Sequence, residues 1–376
     1  MELATNIFLI LSYTVIGLYA AMILYAISGW KKIKKTEVIG SNESVSILVA
    51  ARNESENIES IIRDLFNQDY PAQQFEVIVI DDHSEDDTLT KCQDLQTEFT
   101  ELVVLQNTGE GKKQALTTGI GASRYNVIAT TDADCRVGSD WLSAMVSNWK
   151  ADTKMLLGPV VLSPATTLLE RIQSMEMMAI MGLTGGFANH RKPIMANGAN
   201  LFFSKSAFLE VGGYSNQSNP SGDDVFVMLK MNERWPASVA FVKDYRATVQ
   251  TRPQPNFKDF WQQRKRWLSK KGGYENPWVK STAIISFLAN LIGLLAILFS
   301  ITMAGTFSDK LLWVVLIKTI FDLAIIRTVR IDIDPVCGVG SIVLAELFIL
   351  FYVPLLGLFG GVKNYTWKGR NIKVNE

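Results

Sequence analysis

Apolar positions fall into two patterns along this chain. Between residues 44 and 273 they form short β-branched runs, "SVSILVAAR", "FEVIVIDDHS", "ELVVLQN" and "NVIATTDAD", interleaved with helix-like stretches such as "IESIIRDLFNQ", "KKQALTTGIGA" and "DWLSAMVSNWK". Strands alternating with helices predict right-handed βαβ crossovers and a mostly parallel α/β sheet covered on both faces. Ser84 with Asp87 three residues on predicts a capping box and a helix start there. Outside this region the apolar runs are long. Residues 7–27 are about as long as a bilayer-spanning helix, and 283–304, 311–326 and 336–362 follow near the other end.

The first long run continues into Lys31, Lys32, Lys34 and Lys35 rather than into a small-residue cleavage site. It is expected to be an uncleaved transmembrane anchor over 1–30, with the domain over 44–273 on the cytoplasmic side. A C-terminal membrane region over 280–363, of two or three spanning segments, and a basic tail over 364–376 complete the expected organisation. Three full crossings would leave the basic tail "KNYTWKGRNIKVNE" outside, against the positive-inside pattern. One segment is therefore expected not to span. Either it is 311–326, where Lys318 and Asp322 share a helical face at membrane depth, or 336–362, broken by Pro354 and Gly357, is re-entrant. The sequence leaves both open.

Composition agrees with a membrane attachment: 48% of residues are hydrophobic and the mean hydropathy is +0.14. Lys+Arg and Asp+Glu both number 37, so no net charge points to nucleic acid, and the basic clusters at 31–35 and 264–271 adjoin the apolar runs. Cys92, Cys135 and Cys337 lack C-x-x-C spacing and only His83 and His190 accompany them, which speaks against a zinc site or a disulfide framework. "TGEGKKQ" lacks the spacing of a P-loop.

In open α/β sheets, ligands bind beyond the carboxyl ends of the strands. Asp81 with Asp82, and Asp132 with Asp134, sit at two such predicted ends and should converge on one crevice. Carboxylates this close repel unless a cation bridges them, and hard oxygen ligands suit Mg²⁺ or Mn²⁺, although a helix cap would also account for an isolated D-x-D. "SGDDVFVMLK" puts Asp223 and Asp224 before an apolar helical run, where the macrodipole alone would favour acids. "FWQQRKRWLSK" puts Gln263, Arg266 and Trp267 just before a membrane segment, where an interfacial helix uses the same residue types. Met175, Met177, Met178 and Met181 fall on one helix and suit core packing before a lipid groove.

In this order, Asp81/Asp82, Asp132-Ala133-Asp134, Gly222-Asp223-Asp224 and Gln263-Arg264-Lys265-Arg266-Trp267 resemble the D, D-x-D, T-E-D and Q-x-x-R-W signature of membrane-bound family 2 glycosyltransferases, relatives of cellulose, chitin and hyaluronan synthases and ceramide glucosyltransferase. The resemblance implies a GT-A fold, a nucleotide-sugar donor (UDP), Mg²⁺ or Mn²⁺, and a lipid or glycan acceptor. It places Glu54 of "VAARNE" in the loop that holds the base, Asp81 on the uridine with Asp82 beside it, and Lys112 of "GKKQAL" near the nucleotide. Asp132 and Asp134 would hold ribose and metal, Asp134 most directly. Asp224 would be the catalytic base. Gly222-Asp223 departs from Thr-Glu, which puts the acceptor contacts of those positions in doubt. Gln263, Arg266 and Trp267 would close the site, the arginine on the diphosphate and the indole against the acceptor. "ANGANLFFSKSAFLEVGGY", 196–214, resembles the segment before the base.

These roles imply a single inverting displacement. Few crossings, and "WKGR" near the C-terminus, favour a membrane lipid or isoprenoid acceptor over processive synthesis of a β-linked polysaccharide. A non-catalytic nucleotide-sugar-binding subunit would have lost its base or metal ligand, and neither is lost. The long polar insert argues against a transporter.

Overall fold

The computed structural model of this chain describes residues 2–36, 43–214, 223–268, 275–302, 306–334, 342–359, 364–367 and 370–373. It opens with the long helix α1 (Glu2–Lys32). A strand-helix alternation follows: β1 (Val45–Ala51), α2 (Ile58–Phe66), β2 (Phe75–Asp81), α3 (Thr88–Gln96), β3 (Leu102–Gln106), α4 (Lys112–Ala122) and β4 (Val127–Asp132). Every residue of β2 is buried, as expected for a strand covered on both faces. The next elements are β5 (Cys135–Val137), α5 (Trp141–Val146), β6 (Met155–Leu157), β7 (Val160–Leu162), α6 (Leu168–Asn189), β8 (Leu201–Ser204), α7 (Lys205–Glu210), α8 (Asp223–Arg234), β9 (Val239–Phe241) and β10 (Val249–Thr251). The chain then continues through α9 (Phe257–Leu268), α10 (Pro277–Thr302), α11 (Thr306–Ile333), α12 (Ile342–Phe359), β11 (Asn364–Trp367) and β12 (Arg370–Lys373).

Seven strands form the main sheet in the order β3-β2-β1-β4-β8-β6-β9. The first four are parallel, and β8 runs antiparallel between β4 and β6. The connection reverses direction across β1, so the ends of β2 and β4 flank a crevice. Register sets it: Ala51 pairs with Asp81 on one side, and Ala50 with Asp132 on the other. A second, three-stranded sheet has the order β5-β10-β7.

The capping box expected at Ser84 and Asp87 does not form. Helix α3 starts at Thr88 with no side-chain bond from Asp87. The polar side chains stitch the loop after β2 to the loop after β1 instead. Ser84 Oγ accepts the Asn53 N–H at 3.0 Å, and Asp86 accepts the N–H groups of Ser55 at 3.1 Å and Thr88 at 3.0 Å. Ser and Asp side chains readily bond nearby backbone in this way, and two loops then share one frame.

Helix α6 does carry a capping box, Thr167 with Glu170, and packs against α1 and α11. The α1–α6 crossing is backbone-tight. A Cβ on Gly29 would stand 2.1 Å from the Gly186 carbonyl oxygen, and one on Gly186 would stand 2.1 Å from that of Ala26. Met175, Met177, Met178 and Met181 on α6 are all buried.

Among the described residues, two helical stretches are long and apolar enough to cross a membrane, Thr5–Lys32 and Pro277–Thr302; Val343–Leu358 is apolar but shorter. Segment 311–326 lies within the single 28-residue helix α11. Its Lys318 is buried and donates to Asp322 at 2.7 Å and to Glu346 of α12 at 2.5 Å, while the Tyr19 hydroxyl of α1 donates to Asp322. Pro354 sits inside α12, and residues 335–341 and 360–363 are outside those described.

Candidate active site

Two adjoining cavities open at the carboxyl ends of β1, β2 and β4. The smaller, of about 100 Å³, is lined by Ala50, Arg52, Glu54, Asp82, Lys112, Asp132, Asp134 and Arg266, among others. The larger, of about 280 Å³, has an apolar wall that includes Met177, Ile180, Met181 and Met195, and it also holds Asp224, Gln263 and Trp267. Asp132, Asp134 and Arg266 line both. Two of the four α6 methionines therefore belong to the cavity wall as well as to the core.

The loops deliver these side chains in a fixed frame. Arg52, which the sequence reading did not single out although it stands inside "VAARNE", donates to the carbonyls of Asp82 at 2.8 Å and His83 at 2.7 Å and pairs with Glu85 at 2.9 Å. Asp82 in turn accepts Asn107 Nδ2 at 2.7 Å and the Gly111 N–H at 3.0 Å. Gly111 has φ +88, a left-handed conformation that glycine adopts without strain, and α4 begins at the next residue with Lys112. Asp81, the last residue of β2, does not line the smaller cavity. It is buried, accepts the Ser84 N–H at 3.2 Å through Oδ2, and its buried Oδ1 has no hydrogen-bond partner among the described residues.

Lys112 Nζ forms an ion pair with Asp132. Burial works against its charge, but the carboxylates of Asp132 and Asp224 outweigh that and hold the ammonium above the usual lysine range. Lys112 thus supplies counter-charge at the very carboxylates the D-x-D spacing brings together.

Asp132, Asp134 and Cys135 offer donor atoms within 4.8 Å of one another. The thiol differs in kind from the two acids: Cys135 is buried, its Sγ donates weakly to Asp134 Oδ1 at 3.9 Å, and burial followed by the charges of Asp132 and Asp134 pushes its pKa well up. The residue supports Asp134 from below the surface. Two carboxylates two positions apart at a solvent-facing edge are a donor set suited to a hard divalent cation that completes its shell with water and phosphate oxygens.

Asp224, at the start of α8, is held by its Oδ2, which accepts the Gly198 N–H at 2.8 Å. Gly198 is itself fixed to the D-x-D strand, because Thr130 Oγ1 donates to its carbonyl at 2.8 Å. One short relay therefore sets Asp224 relative to Asp132. Gly198 lies in "ANGAN" and only its contacts mark it out. The side chain of Asp223 lies outside the described residues, as do Gly222 and Lys368-Gly369 of the C-terminal "WKGR".

Similar proteins bear on this arrangement. Residues 46–212 match the family model Glycosyl transferase family 2. The chain is 30% identical over 278 residues, 72% of its own length, to a beta-monoglucosyldiacylglycerol synthase of Trichormus variabilis. It is 27% identical over 244 residues, 62% of its length, to a poly-beta-1,6-N-acetyl-D-glucosamine synthase of Staphylococcus epidermidis. The chain spans 57% and 55% of these two relatives. In structure it is similar to the mannosyltransferase PcManGT from Pyrobaculum calidifontis, solved in complex with GDP-Man and Mn²⁺, with a TM-score of 0.60 at 15% identity over 96% of this chain and 99% of that one. The sheet with its crevice, the sequence match through it and the fold likeness agree: this chain carries a family 2 glycosyltransferase domain with the GT-A fold.

Proposed function

We propose that the chain is an inverting glycosyltransferase that moves one sugar from a UDP-sugar to a hydroxyl of a membrane lipid or isoprenoid. The observation that carries this is the pair of cavities with a common wall: Asp132, Asp134 and Arg266 face a polar recess on one side and a methionine-lined chamber containing Asp224 on the other. A donor diphosphate in the recess and an acceptor in the chamber would meet across that wall.

Glu54, Arg52 and Asp82 shape the nucleotide end of the recess, and Asp81, buried at the end of β2, helps to hold the loop that carries Asp82 through its bond to the Ser84 N–H. Arg266 and Lys112 neutralise charge on the departing diphosphate. Asp134, with Asp132, would hold Mg²⁺ or Mn²⁺, which when bound screens the same charge. Asp224 takes the proton from the acceptor hydroxyl as it attacks, an effect worth roughly 10²- to 10⁴-fold in general-base catalysis. Gln263 and Trp267 close over the acceptor. A single in-line attack turns an α-linked donor into a β-glycoside.

The apolar wall of the chamber favours a lipid, and one relative is named for a glucosyldiacylglycerol product. Helices α1 and α10 are proposed to cross the membrane, with Lys31 and Lys32 at the end of α1 on the cytoplasmic side, where nucleotide sugars are found. A second reading, synthesis of a β-linked polysaccharide, is favoured by the N-acetylglucosamine polymer synthase among the relatives. Incubating the purified full chain with labelled UDP-sugars, Mn²⁺ and a membrane lipid extract separates them. Label in the organic phase supports the lipid acceptor and insoluble polymer supports the second reading. Neither transfer nor hydrolysis with any donor contradicts both.

A further inference from the structure

We infer that Arg264, which lines neither cavity, is a positioning residue that fixes the site-closing side chains of α9 by tying that helix to α6 and to α12. The tie stands on geometry; only what it serves rests on the proposed function.

Arg264 is 3% exposed. Its Nη1 donates to Gln263 Oε1, and its Nη2 donates to Glu176 Oε2 on α6. The guanidinium lies 4.2 Å from the Trp267 ring centroid and 4.5 Å from that of Phe260. The other oxygen of Glu176 accepts the Tyr352 hydroxyl of α12. Phe260 packs with Tyr352 and Leu356 in a small apolar cluster of its own.

Each contact constrains a different part of the site. Gln263 and Trp267, which line the acceptor chamber, are touched directly, while Arg266 follows two residues later on the same helix. Glu176 neighbours Met177 of the chamber wall. A buried guanidinium is tolerated only when paired, and its planar fork bonds two acceptors at its edge while its face stacks on the rings; an ammonium has no face to stack. The acceptor side of the cleft is therefore registered against α12, whereas the nucleotide side is registered by β1, β2 and β4.

The test uses the full chain bearing Arg264→Lys, Glu176→Gln or, as the mildest change, Tyr352→Phe. Three readouts are taken: hydrogen exchange over residues 257–268, UDP affinity with Mn²⁺, and transfer rate. Exchange over 257–268 should rise in the variants while β1, β2 and β4 stay as protected as in the parent. For Arg264→Lys, kcat should fall about 10²-fold, the scale of a misplacement near 1 Å. UDP affinity should fall by less than kcat does, since a loosened α9 reaches the recess through Arg266, and Arg264→Lys combined with Glu176→Gln should be no worse than the worse single change, as expected for one coupled unit. Unchanged exchange over 257–268 would overturn the inference, as would kcat within about threefold of the parent in both Arg264→Lys and Glu176→Gln. It would also be overturned if UDP binding and strand protection fell together with kcat, since that marks general unfolding. If the parent protein transfers sugar to no acceptor, the functional reading fails while the exchange measurement still decides whether the tie exists.

Discussion

The Gly198 N–H donates to Asp224 Oδ2 at 2.8 Å, and a Cβ built on Gly198 would stand 2.7 Å from that same oxygen. The position that orients the proposed base thus leaves no room for a side chain. Gly198→Ala should displace the Asp224 carboxylate and lower kcat about 10²-fold, as misplacement of a reacting group does, with UDP affinity preserved. Gly121→Ala is the control, because nothing lies within 4 Å of a Cβ there. Steady-state kinetics of the two variants should separate cleanly, and equal activity would contradict the role given to Gly198.

Lys318 illustrates a different balance. It is buried between Asp322 and Glu346, so its removal leaves two carboxylates without their cation. Lys318→Met should destabilise the chain by about 3–5 kcal/mol, the cost of breaking a buried pair from one side. Adding Asp322→Leu and Glu346→Leu should recover most of that loss, since well-packed apolar residues can replace a buried ionic group. Denaturant unfolding in detergent measures both, and an unperturbed single variant would contradict the cluster's structural role.

Burial, with the Asp81 charge adding to it, pushes the Cys92 thiol up to about 12. At about pH 8 only on the order of 10⁻⁴ of it is thiolate, so an alkylating reagent should leave Cys92 unmodified in the folded protein and modify it after unfolding. The linkage has a definite sign. The folded state holds this proton more tightly than the unfolded state, so the stability tied to it is intact below the ordinary thiol range and declines as pH rises towards about 12. Mass spectrometry of alkylated protein checks this, and labelling of Cys92 at the rate of a free thiol would contradict it.

Much of the site was legible because a parallel sheet delivers polar residues to one edge. Once "FEVIVIDDHS" and "NVIATTDAD" are taken as strands, Asp81 and Asp132 must end on the same side, and the register around Ala50 and Ala51 puts them there. The division of labour between Asp81 and Asp82 was not legible. Both are apolar-strand terminators in sequence and both are buried, but Asp82 lines the cavity, held there by Asn107 and Gly111 of the loop after β3, and Asp81 does not. The Ser84 capping box failed for a related reason, since a hydroxyl that can cap its own helix can equally bond a neighbouring loop. Gly198, Glu176 and Tyr352 were invisible because their partners stand 26 to 176 residues away. Pattern reading along the chain has no access to such distances. The same limit explains Lys318, which looked costly at membrane depth until Glu346, 28 residues on, supplied the charge that pairs it.

Asp224 is proposed to remove the acceptor proton while the donor is held by other residues. Asp224→Asn keeps the shape and the acceptor of the Gly198 hydrogen bond but removes the base, so transfer from a labelled UDP-sugar to lipid should fall by roughly 10²- to 10⁴-fold. Calorimetric UDP affinity with Mn²⁺ should stay within about threefold of the parent, because Asp224 lines the larger cavity and not the smaller one proposed to hold the nucleotide. Full transfer activity in Asp224→Asn would contradict the account.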